Sequence, residues 1–90
     1  MLPKFLSFLN RSPKILLTVT NVMTSETVCT YYYDRREATA EGVKRGAKAL
    51  GITDVCAWVT DANTSKGASL RGLDITGDPI AWIRIEKVGN

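Results

Sequence analysis

Between Ile15 and Met23, apolar and polar positions alternate with the period of two that belongs to a half-buried strand. Ile15, Leu17, Val19 and Met23 share one side, and Leu16, Thr18, Thr20 and Val22 the other. Thr24 and Ser25 supply a turn, and Glu26 to Tyr33 reads as a second strand, so this stretch predicts a β-hairpin. No Asn-Gly or Asp-Gly pair fixes the turn type. Upstream, Leu2, Phe5, Leu6 and Leu9 recur at helical spacing with Phe8 beside them. They predict a short amphipathic N-terminal turn or helix that Ser12 and Pro13 end.

After the hairpin the period changes. Asp34 is placed as an N-cap, with Glu37 three residues on as in a capping box. Ala40, Val43, Ala47 and Leu50 then form a narrow apolar stripe, and Gly51 stands where a left-handed C-cap belongs. Gly42 and Gly46 lie near this stripe and predict a helix packed close against a sheet. Glu41 is spaced to pair with Lys44 or Arg45 on the wet side.

Thr53 to Thr60 predicts a third strand and Ile80 to Val88 a fourth. Between them, residues 61–79 read as a long connection punctuated by Gly67, Gly72 and Gly77. A structureless loop of that length is uncommon in a compact domain, so it either hides a short element around Ser69 to Ile75 or is a functional loop. The order is β-β-α-β-β. The fold class is α+β, a two-layer sandwich with a four-stranded, mainly antiparallel sheet and one main helix. Residues 1–90 form one small domain, with residues 1–13 as its N-terminal apolar segment.

One helix covers one face of a sheet. With Val55, Ala57 and Val59 facing the helix, Cys56, Trp58 and Thr60 face away. In the last strand Ala81, Ile83 and Ile85 face in, leaving Ile80, Trp82, Arg84 and Glu86 opposite. Both tryptophans then share the uncovered face with at least one tyrosine of Tyr31 to Tyr33. Two arrangements suit such an aromatic patch: the N-terminal segment around Phe5 and Leu9 folds over it, or it stays open for a partner or a second copy of the chain.

Composition narrows the function. The chain is 44% hydrophobic and 23% charged, ordinary for a globular protein, and its net charge is +3. That permits contact with nucleic acid or an acidic protein and demands neither. A chain of this size buries only roughly 60–65% of its extended surface, so every apolar contact counts. No apolar run approaches the length of a membrane span, and neither a signal peptide nor an anchor is read at the start; the expected location is cytoplasmic. Cys29 and Cys56 sit in apolar runs outside any C-x-x-C pair and are expected to be buried, reduced thiols.

Without histidine, the usual general base is missing, and any Ser or Cys nucleophile would need a carboxylate or lysine instead. Asp54, Asp61, Asp74 and Asp78 suit turns that bond their own backbone. The run from Asp61 to Ser65 opens like a calcium loop, but Lys66 and Gly72 stand where that loop needs Gly and Glu. The loop glycines match no phosphate-binding spacing. No cofactor, metal or catalytic residue is expected, and the chain is not read as an enzyme.

The expectation is a small interaction protein that binds a protein partner stoichiometrically through Tyr32, Trp58, Lys66, Arg71, Trp82 and Arg84. In size and economy the chain is similar to phage or mobile-element inhibitors of host defence, such as anti-CRISPR proteins, a likeness of format that no motif carries. The alternative is a nucleic-acid binder that stacks bases on Tyr32, Trp58 and Trp82 beside Arg84. A homodimer is compatible with either.

Overall fold

The computed structural model describes residues 13–88. The expected N-terminal turn or helix, and any cover it provides for the sheet, lie outside the described residues. The elements are β1 (Ile15–Asn21), β2 (Thr27–Tyr32), one continuous helix α1 (residues 35–49), β3 (Ala57–Thr64), β4 (Gly67–Leu73) and β5 (Pro79–Lys87). All strands join a single five-stranded antiparallel sheet in the order β2-β1-β5-β4-β3. The α+β architecture is as expected, with five strands where four were read.

The additional strand is β4, inside the stretch from 61 to 79. Gly67 and Gly72 lie within it, although they read as loop punctuation. They are tolerated because neighbours fill the space above the backbone. A Cβ on Gly72 would lie 2.8 Å from the Trp58 ring and 3.2 Å from Ala81 Cβ. Glycine here is a seat for an aromatic ring.

The third strand also differs. Residues 52–56 are irregular, and β3 runs from Ala57 to Thr64. Trp58 pairs with Gly72, which pairs with buried Ala81, so Trp58 faces the helix side. Val59 pairs with Arg71 and faces away. The expected phase of this strand is reversed, and Val59 is not in the core. Because β3 is an edge strand exposed over most of its length, its alternation carried no burial signal that could fix its phase.

The helix comprises an α-helical turn (Arg35–Glu37), a π-helical stretch (Ala38–Gly42) and a final α-helical segment (Val43–Ala49). Asp34 caps it as expected, its carboxylate accepting the Glu37 N–H at 2.7 Å. At the other end Gly51 has φ 71°. Its N–H donates to the Lys48 carbonyl and the Ile52 N–H to the Ala47 carbonyl, a Schellman closure.

The face turned to the sheet is a row of Ala38, Gly42 and Gly46, all buried, flanked by half-buried Val43, Ala47 and Leu50. Ala40, expected on the stripe, is exposed. The row of small residues lets α1 lie directly on β1 and β2, over Leu17, Val19 and Tyr32. Ile15, Leu17, Val19, Ala81, Ile83 and Ile85 complete the core beneath it. Buried Asn21 ends this inward row. Its Nδ2 donates to the Leu50 carbonyl at 2.9 Å, and its Oδ1 accepts the Met23 and Thr24 N–H groups.

Candidate interaction surface

The opposite face of the sheet is covered by nothing among the described residues. Register assigns it directly: Thr20 pairs with Trp82, which pairs with Arg71, and Thr18 with Arg84, which pairs with Ser69. Trp82 stands 51% exposed at its centre, and Tyr31 is 60% exposed towards the β2 edge. Ser69 is small, so a shallow concavity of about 490 Å³ opens between Thr18, Thr20, Asp61, Arg71, Trp82 and Arg84. A second trough of about 400 Å³ continues past Ser69 and Arg84 to Lys66, Glu86 and Lys87.

Two ion pairs set the charge of this face. The β3–β4 register shifts between Thr60 and Ala62, leaving Asp61 as the extra residue. Its carboxylate, two residues on from outward-facing Val59, lies over Arg71, whose Nε donates to both oxygens at 2.9 Å. Arg84 Nε lies 3.3 Å from Oε1 of Glu86, two residues on along β5. Such exposed pairs contribute at most about 1 kcal/mol to stability. Their larger consequence is that the arginines of the face already have anionic neighbours.

The sequence-derived site residues are divided by this geometry. Arg71, Trp82 and Arg84 come together, and Lys66 sits at the end of the adjoining trough in the β3–β4 turn. Tyr32 is buried on the helix side, only 6% exposed, and lies against Gly42. Trp58 is on the helix side as well. It remains 41% exposed because α1 lies over β1 and β2 and leaves that flank uncovered. The two tryptophans therefore occupy opposite faces, which corrects the expectation of one shared patch. Asp61, Thr18 and Thr20 were not among the expected site residues, and Tyr31 rather than Tyr32 is the tyrosine on this face, from the expected range Tyr31 to Tyr33. Tyr31 was within reach, since it follows from the phase of the first hairpin.

The Asp74 carboxylate is engaged locally. Asp74 Oδ1 accepts the Thr76 N–H at 2.9 Å, the Thr76 hydroxyl at 2.7 Å and the Asp78 N–H at 3.0 Å, closing the β4–β5 turn. These bonds, the Thr76 hydroxyl first, hold the Asp74 carboxyl below its usual range. Cys29 and Cys56 are both free and exposed, so the expectation of buried thiols is overturned. Cys29 alternates outward on the edge strand, and Cys56 lies in the irregular segment before β3. Among the described residues, no helix is long and apolar enough to cross a membrane. Comparison with protein-family models, curated proteins and solved structures finds no match to this chain.

Proposed function

We propose that this chain is a small, non-enzymatic binding protein whose uncovered sheet face docks a protein partner stoichiometrically. The observation that carries the reading is the pairing of Arg71 with Asp61 and Arg84 with Glu86 around exposed Trp82. An aromatic anchor beside arginines in a shallow concavity is the composition of a protein interface centre. A phosphate backbone approaching those arginines would also meet the two carboxylates beside them, which weakens the electrostatic gain that drives nucleic-acid binding. The stacking alternative also loses its platform, because Tyr32 is buried and Trp58 lies on the other face. A stoichiometric inhibitor of the kind mobile elements use fits the same economy of size, and it is the form of partner binding we favour.

The test is capture from a native host extract with immobilised wild-type protein and two single variants. Trp82→Ala should lose the retained protein, by about thirtyfold in affinity for a hot spot of about 2 kcal/mol. Trp58→Ala should keep it. Micromolar binding of mixed oligonucleotides at about 150 mM salt, abolished by Trp82→Ala, would place nucleic acid first.

A further inference from the structure

We infer that the β2 edge is a second interface, where two copies of this chain pair antiparallel and join their sheets. The two outer strands of the sheet differ in how they are protected. The β3 edge carries the bulge at Asp61, and its far end is held by Arg35, which donates to the Thr64 carbonyl at 2.7 Å and to Asn63 Oδ1 at 2.8 Å. Bulges and charges are the devices that stop edges from pairing. The β2 edge has neither. Its sequence is Thr-Val-Cys-Thr-Tyr-Tyr, without charge or proline, and its register against β1 is uninterrupted.

The hydrogen-bond phase shows which groups are offered. The Asn21 N–H donates to the Glu26 carbonyl, while the Val22 N–H donates across to Ile80 in β5. By alternation, Val28, Thr30 and Tyr32 face β1, and the main chain of Thr27, Cys29 and Tyr31 points outward. A two-fold axis at Cys29 pairs this whole outward set with itself: Cys29 against Cys29, and Thr27 against Tyr31 in both directions. The occupant is a second copy because the edge is self-complementary in register and in charge. Glu26 is the one charged residue between Ile15 and Tyr33. In this register Glu26 falls at the partner's Tyr32 end, where the first turn of α1 carries the exposed Arg36. The axis stands perpendicular to the sheet, so both uncovered faces lie on the same side and the Trp82 surfaces become one bivalent platform.

The inference stands on the edge rather than on the face, so its test needs no partner. Light scattering on the purified chain up to about 1 mM should give the mass of a dimer. Cys29→Lys with Tyr31→Lys should give a monomer with an unchanged circular dichroism spectrum. Opposed cysteines in such a pair lie about 5.5 Å apart at Cα, within the roughly 4.4–6.8 Å span of a disulfide. Mild oxidation of the parent chain should therefore yield a covalent dimer that Cys29→Ser abolishes and Cys56→Ser does not. A monomer at the highest concentration would overturn the proposal. So would a dimer that survives the double lysine change, or a cross-link that depends on Cys56.

Discussion

Gly46 rests directly on Val19: a Cβ at position 46 would lie 2.5 Å from Val19 Cγ2 and 3.0 Å from its Cβ. Val19 is fully buried in the central part of the sheet and has nowhere to move. Gly46→Ala therefore pits a helix-propensity gain of about 1 kcal/mol against overpacking of about 1–3 kcal/mol. Overpacking should win, because the obstacle is a β-branched side chain held by the strand beneath it. We expect a lower denaturation midpoint with an unchanged slope in urea. A Gly46→Ala protein more stable than the parent would mean that α1 sits further from β1 than described.

That contact also shows what the sequence could and could not reveal. The hairpin, the Asp34 cap, the Gly51 closure and the inward set Ala81, Ile83 and Ile85 were legible because each rests on local pattern or cap chemistry. The helix face was half legible. Val43, Ala47 and Leu50 are its flank, while its centre is Ala38, Gly42 and Gly46, whose role is close approach and which an apolar stripe does not register. The face of Trp58 was not legible, since its seat on Gly72 depends on β4, a strand whose glycines hid it. The Asp61–Arg71 pair was not legible either, since it depends on how β3 registers against β4, which no local pattern encodes.

Asn21 joins the end of β1 to the end of α1, and Asn21→Ala removes all of these side-chain bonds at once. The Leu50 carbonyl loses a donor, and the Met23 and Thr24 N–H groups lose their acceptor. Part-buried groups stripped of partners cost about 1–3 kcal/mol. For a chain of this size that corresponds to a fall in Tm of at least about 4 °C, readable by calorimetry. A change of less than a degree would show that water replaces these bonds without loss.

Exposure of both thiols predicts rapid modification. A thiol reagent at neutral pH should label Cys29 and Cys56 in the native protein at nearly the rate seen in denaturant, with Cys29 slowed where the β2 edge is paired. Mass spectrometry after short labelling pulses separates the two sites. Protection of Cys56 comparable to that of a core residue would contradict the exposed placement of the segment before β3.

The two tryptophans should separate stability from binding. Trp58 packs on Gly72 beside buried Ala81, so Trp58→Ala uncovers part of the helix-side core. Trp82 stands on the opposite face and shields no buried residue of that core. Trp58→Ala should therefore be the more destabilising of the pair, by about 1–3 kcal/mol for a half-exposed ring. Equal losses in parallel urea titrations would place both rings on structural duty and remove Trp82 as a free anchor.

The β4–β5 turn should weaken in acid through Asp74. Its carboxyl lies below the usual value in the folded state because the Thr76 hydroxyl, then the Asp78 N–H, donate to it. A folded value below the unfolded one means that the contribution is fully present above about pH 4, the unfolded value, and fades as pH falls through the folded value. The carboxyl is solvent-exposed, so the change should be local, a loosening of the turn ahead of any global unfolding. Amide shifts of Thr76 and Asp78, followed by NMR from about pH 6 to 2, should titrate together with a midpoint below that of an ordinary aspartate. Asp74→Asn keeps an acceptor oxygen for the same donors and cannot titrate, so its turn amides should hold their shifts over that range. If the Asn variant shows the same acid transition as the parent, Asp78 or a global event is responsible and Asp74 does not organise the turn.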